Sequence, residues 1–458
     1  MVAPVIMALL LAVHAVPLQS QAAAASAAPE VVSIRRPVIP LNGPWRFQTG
    51  DDIRWAAPAF DDAAWEIVDL TAPAGAHDPD VGLTGYVDGW GKRGHAGYWG
   101  FAWYRMRVVA DALPGDTLAL SGPLEVNDAY ELYIDGRLAG ASGDFSGAIP
   151  VAYNTRPSVY PIPPAASGAA RERGGRAIEI AVRVWMPHGA ASAAPGDGGM
   201  RIAPAIGESS SIEAHYEHEW LAKFLGYVAD AAEPMVFLLL AVMACSLRAL
   251  EPGDTAYWWT AVALVVLGAN RANHAFFYWT ADESEQTADI VQSVLLIPLT
   301  LGAWTMAWRA WFRTAAPEWL GKAIAVLTGL YMAMQLLTRP WWPGLIPHPI
   351  TVASHAVSTV VRLGFVFLWA LMVFLGVRRD SQEGWFVVPT VVFLAVGLFA
   401  QELSALHIPG IWFPFGVGVS RTQYAFVPFA TMLFVLLMRR LLGFASRYGR
   451  AGVSAGVG

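Results

Sequence analysis

Apolar and polar positions follow two different rhythms along this chain. Between residues 30 and 215 they alternate, with Gly/Pro-rich breaks, whereas from about 220 onward long apolar runs are separated by short charged gaps. Period-two alternation predicts half-buried strands, as in FAWYRMRVV (101–109), DTLALSG (116–122), AYELYIDG (129–136) and AIEIAVRVW (177–185). In the last of these Ile178, Ile180, Val182 and Val184 share one face. Asp135–Gly136 predicts a hairpin, because the tight turn needs positive φ. The later runs, at 224–247, 256–279, 289–312, 319–338, 350–377, 385–405 and 421–441, each approach the length that crosses a bilayer. A backbone in hydrocarbon must satisfy its own hydrogen bonds, so each run is expected to be helical. The expected fold is therefore an antiparallel β-sandwich of jelly-roll type, over residues 30–210, followed by an all-α seven-helix transmembrane bundle over 223–442. Residues 211–222 read as a linker and 443–458 as a short tail.

Composition agrees with this partition. The 458 residues are 55% hydrophobic and 14% charged, against about a quarter charged in soluble domains. A formal net charge of −6, with no basic patch interleaved with aromatics, excludes nucleic acid as a partner and leaves the lipid bilayer. Residues 1–27 read as a secretory signal peptide, with an apolar centre, Pro17 and Ala-rich cleavage options near Ala22–Ala28. The chain's one cysteine, Cys245, falls inside the first span, so no internal disulfide or CxxC site can form.

Orientation follows from the cations. With the sandwich outside, the inner loops and tail collect Arg248, Arg309, Arg313, Lys322, Arg378, Arg379, Arg439, Arg440, Arg447 and Arg450, while Asp282, Glu283 and Glu285 lie outside. This predicts a bacterial inner-membrane protein with a periplasmic N-terminal domain and a cytoplasmic C-terminus. Trp258, Trp259, Trp279, Trp341, Trp342, Trp385 and Trp412 sit at span ends, where amphipathic rings favour the headgroup layer.

The series LNGPWRF, FDDAAWEIVDL, WYRMRV, ELYIDGRLAG and AIEIAVRVW, in that order across residues 38–206, resembles the sugar-binding, galactose-binding-like jelly-roll domain of family-two glycoside hydrolases. The resemblance implies a carbohydrate or other small periplasmic ligand. It does not extend to the barrel that carries the hydrolases' carboxylates. Hydrolysis needs two carboxylates about 5–10 Å apart. Asp61 and Asp62 read as turn and capping residues, and Glu125 and Asp128 as strand-flanking ones, so no catalytic residue and no enzyme is expected. Ligand contacts are expected from the Gly-rich aromatic stretch GYVDGWGKRGHAGYWG (85–100), through Asp88, Trp90, His95 and Trp99, with Asn127 and Asp128 beside them. The competing reading makes the tryptophans core and the loop a cover over a sheet edge.

Polar residues inside the spans form a second candidate site: Glu233, Arg271, Asn273, His274, His355, Arg362, Glu402 and Arg421. An unpaired charge in lipid costs at least about 2.5–3.5 kcal/mol, so these groups are expected to face inward and to pair, Glu233 or Glu402 with Arg271 or Arg362. A polar cavity opening to the outer side, or simply interhelical hydrogen bonding, would account for them. Retinal is excluded because Lys92, Lys223 and Lys322 all lie outside the seventh span. His274, His355, His407 and Glu402 match no helical metal motif, so neither metal nor cofactor is expected. The whole arrangement resembles the bacterial seven-transmembrane receptors with diverse intracellular signalling modules. That resemblance implies a sensory receptor whose output module lies downstream or on a separate protein; the alternative is a transport protein with an accessory outer domain.

Overall fold

The computed structural model describes residues 30–32, 38–78, 82–110, 117–164, 171–172, 175–188, 196–313, 319–339, 341, 345–379, 381–400, 403, 418 and 420–455. The signal-peptide expectation over 1–27, together with Gln401 and Glu402, lies outside them.

Two sheets face each other in the N-terminal domain. The larger runs β4 (Glu66–Val68), β3 (Trp45–Thr49), β5 (Gly100–Ala110), β12 (Gly175–Met186), β8 (Ala129–Ile134) and β9 (Arg137–Ser142), with β1 (Glu30–Val32) beside β5 and β11 (Arg171–Glu172) beside β12. The smaller runs β10 (Val159–Ile162), β6 (Leu118–Ser121), β14 (Ala205–Glu208) and β2 (Val38–Pro40). A short ribbon pairs β7 (Val126–Asn127) with β13 (Gly199–Met200). The β5–β12 pairing is antiparallel along its whole length, Arg176 opposite Ala110 through Met186 opposite Gly100. Alternation then sorts the side chains. Ala102, Tyr104, Met106 and Val108, with Ile178, Ile180, Val182 and Val184, enter the inter-sheet core, which also holds Trp45, Phe47 and Trp90. Trp103 and Arg105 point to the other face, where Trp55, Trp65 and Tyr133 gather. The β8–β9 hairpin turns at Asp135 (φ 50°) and Gly136 (φ 78°), both in the left-handed region that this tight turn requires.

Seven long helices follow among the described residues: α1 (Ser209–Leu250), α2 (Thr255–Trp279), α3 (Glu285–Trp311, with a π-helical stretch over Ile290–Leu296), α4 (Trp319–Thr338), α5 (His348–Arg379), α6 (Ser381–Leu398) and α7 (Phe426–Ala455). Five of them, α1, α3, α4, α5 and α7, are long and apolar enough to cross a membrane. Trp304, Trp308, Phe365 and Leu433 pack in the bundle core, whereas Leu239, Val326, Val360 and Phe367 stand exposed on its outside, as lipid-facing side chains do. Two expectations change here. Residues 211–222, expected as a linker, are helical, because β14 runs straight into α1 without an intervening loop. The expected tail from residue 443 continues as helix to Ala455.

The sandwich sits against the helix ends through hydrogen bonds to backbone. Glu285 N–H donates to the Ala152 carbonyl at 3.0 Å, and the Asn154 amide donates to the carbonyls of Phe277 (3.3 Å) and Tyr278 (3.1 Å).

Candidate functional site

A cavity of about 620 Å³ opens in the sandwich-proximal half of the bundle. Its polar lining comes from Asn270, Arg271, Asn273 and His274 on α2, from Glu285, Asp289, Gln292 and Ser293 on α3, and from Arg339, His355, Arg362 and Gln423. The π-helical stretch carries Gln292 and Ser293; such widened turns recur at functional sites.

Arg271 organises one wall. Its Nε donates to Glu233 Oε2 at 2.9 Å and its Nη2 to Asp230 Oδ1, while its guanidinium lies 5.1 Å from the centre of the Phe426 ring. The other Asp230 oxygen meets His274 Nδ1 at 2.5 Å. Asp230 and Glu233 are neighbours because residues three apart on a helix share a face. Pro234 lies on the same turn and has no N–H to offer the Asp230 carbonyl, so this turn of α1 is locally loosened as well as charged. A second knot forms around Asp289, which accepts from Arg339 Nη1 at 2.6 Å, Trp341 Nε1 at 2.7 Å and Ser293 Oγ at 2.9 Å. Between the knots, Asn273 donates to Gln292 at 3.2 Å and Gln292 to Asn270 at 3.3 Å. Arg362 donates to Tyr331 Oη at 3.4 Å and to the Leu398 carbonyl at 3.3 Å.

Of the expected intramembrane cluster, Arg271, Asn273, His274, His355 and Arg362 line this cavity and Glu233 stands behind Arg271 as its ion partner. Arg421 is exposed and does not line it, and Glu402 lies outside the described residues. The sequence reading missed Asp230, Asp289 and Gln292. For Asp230 a signal existed: a second acid three residues before Glu233 in one apolar run has no reason to be there without a cation to share.

The expected ligand residues of the sandwich are spread out instead. Trp90 packs in the core, 2% exposed, against Phe47. Trp99 is half exposed, edge-on to His188. Asp88 pairs with Lys92 at 2.7 Å and His95 Nε2 meets Glu66 at 3.0 Å, both at the surface. The Asn127 side-chain oxygen accepts from Arg201 at 3.0 Å. Asp128 is buried, and desolvation reinforced by Glu125 raises its carboxyl to about 7. None of the six lines the cavity between the sandwich and the bundle.

That junction cavity measures about 560 Å³. The sandwich contributes Leu83, Glu125, Asn154, Thr155 and Ile202, and α1 contributes His215, His218, Glu219, Lys223 and Tyr227. Desolvation, then the nearby Asp78, pushes the Glu125 carboxyl up to about 8. Tyr278 lines both this cavity and the one in the bundle, and stacks on Tyr227 with centroids 4.2 Å apart. Among the described residues no group of three or more His, Cys, Asp or Glu side chains is placed to hold a metal ion.

No protein-family model matches the chain, and no curated protein is similar enough to match. Solved structures match part of it. A β-glucuronidase from Bacteroides uniformis is 19% identical over 37% of this chain and 17% of that one, with a TM-score of 0.25. A β-glycosidase from Bacteroides vulgatus is 18% identical over 37% of this chain and 20% of that one (TM-score 0.24). A Bifidobacterium dentium β-glucuronidase complexed with coumarin-3-O-glucuronide is 18% identical over 32% and 20% (TM-score 0.21). The chain thus spans about a fifth of the length of these proteins. They are named as β-glucuronidases and a β-glycosidase, and another matched structure, from Bacteroides cellulosilyticus, is described as a member of glycoside hydrolase family 2, so the expectation that the chain is not an enzyme is withdrawn. The activities of those proteins are their own.

Proposed function

We propose that the chain is a sensory membrane receptor, or the receptor part of one, with a periplasmic jelly-roll head and a seven-span bundle. In this reading a carbohydrate or other small ligand shifts the head against the bundle, and the shift reaches a cytoplasmic output module. One observation carries it. β14 of the sandwich ends at Glu208 and α1 begins at Ser209, running 42 residues to Leu250. At 1.5 Å per residue that helix is about 63 Å long, twice the roughly 30 Å of hydrocarbon it would cross. Its first turns lie along the sandwich and its later turns carry Asp230 and Glu233, so a movement of the head is a movement of the charged cavity wall. A ligand acts on such a system only by its differential affinity for two arrangements.

The test uses the full chain in lipid nanodiscs, with Cys245→Ser as background and spin labels at Pro252→Cys and Leu442→Cys, both exposed positions at the far end of the bundle. A panel of mono- and disaccharides is added and the label-to-label distance measured. A saccharide that binds should change the distance distribution; binding with an unchanged distribution refutes the receptor reading. A second reading, membrane transport with an accessory outer domain, is favoured by the polar cavity inside the bundle. Accumulation of a panel member in proteoliposomes would select it.

A further inference from the structure

We propose that the cavity between the sandwich and α1 is the ligand site, and that it takes a small polyhydroxylated molecule of mono- to disaccharide size. The proposal deepens the receptor reading and rests on it for its consequence, though not for its binding test. Ligand sites favour domain interfaces and occupy about 300–1,000 Å³. This cavity, of about 560 Å³, falls inside that range.

The chemistry follows from two buried side chains on α1. Lys223 is buried at the cavity wall and donates to the Thr155 carbonyl at 2.8 Å. An ammonium has three protons to give, so this contact leaves donor capacity at the wall. One turn earlier, the Glu219 side chain is only 10% exposed. Its Oε1 meets His215 Nε2 at 2.8 Å, while its Oε2 is buried with no hydrogen-bond partner among the described residues. Buried polar atoms are nearly always paired, and leaving one unpaired costs about 1–3 kcal/mol. The wall therefore presents a donor and an acceptor about one helical turn apart. A simple anion would satisfy Lys223 but confront Glu219. A simple cation would satisfy Glu219 but confront Lys223. A hydroxyl both donates and accepts, so a molecule carrying several meets both demands without a net charge. Leu83 and Ile202 supply apolar wall for the C–H faces of such a ring.

The same geometry gives occupancy a route inward. Tyr227 and Tyr278 separate the two cavities, and their rings lie 5.7 Å and 4.8 Å from His274, which holds Asp230. A molecule filling the junction cavity meets this stacked pair directly.

Isothermal titration of the full chain in nanodiscs with D-glucose, D-galactose, D-mannose and cellobiose tests the assignment. At least one should bind, and Lys223→Met and Glu219→Gln should each weaken it about tenfold or more. Because a buried substitution can unfold the chain, Thr84→Trp serves as the second variant: Thr84 lines the cavity from an exposed position, and a bulky ring there should block entry while the melting temperature holds. Trp99→Ala and Asp88→Ala, on the surface loop, should leave affinity unchanged. The assignment is overturned if no saccharide binds, if glycine or putrescine binds in their place, or if binding ignores Lys223, Glu219 and Thr84. Cavity-dependent binding without movement of the labels at Pro252 and Leu442 would defeat the receptor reading and leave this site standing.

Discussion

Removing Arg271 should harm the chain more than removing either acid that it holds. Asp230 is fully buried and Glu233 nearly so, and both carboxylates point at the one guanidinium. In Asp230→Asn, Arg271 keeps Glu233 at 2.9 Å, so the wall remains roughly balanced. In Arg271→Met, two carboxylates are left facing each other without their cation. Breaking a buried ion pair from one side costs about 3–5 kcal/mol, and we place Arg271→Met at or above the upper end and Asp230→Asn at or below the lower. The double variant Asp230→Asn/Arg271→Met removes one charge of each sign. It should be more stable than Arg271→Met alone, since only Glu233, and not two acids, is then left without its cation. Unfolding in graded sodium dodecyl sulfate/detergent mixtures, followed by tryptophan fluorescence of the full chain, reads these differences. If Arg271→Met is no worse than Asp230→Asn, or if the double variant shows the sum of the two losses, the shared-cation account is wrong.

Three further outcomes follow from the sandwich. Trp90→Ala should cost about 3–5 kcal/mol in denaturant unfolding of the full chain, the range for emptying a large core site, because the indole is 2% exposed against Phe47. Gly199→Ala should cost about 1–3 kcal/mol in the same measurement, since a Cβ there would run into Tyr104 Oη and Trp90 and the backbone sits at φ 82°. Glu125 makes stability depend on pH. Its carboxyl titrates at about 8 in the folded chain, against 4.5 for an ordinary solvated glutamate, so between those values the folded state holds a proton that the unfolded state has lost. That contribution is fully present below about 4.5 and is lost as pH rises through about 8, so the melting temperature should fall over this window and Glu125→Gln should flatten the slope.

The strands were legible because period-two alternation and sheet geometry are the same fact. AIEIAVRVW became β12 with Ile178, Ile180, Val182 and Val184 inward, and Asp135–Gly136 became the β8–β9 turn. Hydrophobic runs likewise became helices, for example 319–338 and α4, since a backbone surrounded by apolar side chains has few other ways to pair its amides. The start of α1 was hidden for the converse reason. AHYEHEW holds two histidines and two glutamates in seven residues, which in sequence reads as a solvated connector. In the structure, however, that helix lies between solvent and a lined cavity, where Glu219 and Lys223 face inward. Polarity marks a loop only when nothing polar is packed against it.

Site residues divide along the same physical line. A charge in an apolar run betrays itself by its cost, which is why Glu233, Arg271 and His274 could be picked out without knowing how the helices pack, and why Asp230 could have been. In the sandwich no such penalty operates. Trp90 and Trp99 have the same composition around them, yet one is core and the other surface, because the difference lies in Gly198 and Gly199. Those glycines come about a hundred residues later in the chain and make room for the first indole but not the second. Likewise the junction cavity takes its walls from residues near 40, 84, 125, 155, 203 and 220, which no local pattern links. What joins them is the unbroken passage from β14 into α1. It brings a polar helix face up against the sandwich and ties the head to Asp230 through one continuous helix. A glycine pair inserted between Glu208 and Ser209 would break that passage and free the α1 wall from the sandwich wall. If the head and bundle communicate through α1, the insertion should weaken saccharide binding and, at saturating saccharide, abolish the change in label distance. An undiminished change would mean that the Tyr227–Tyr278 stack, and not the helix, carries the signal.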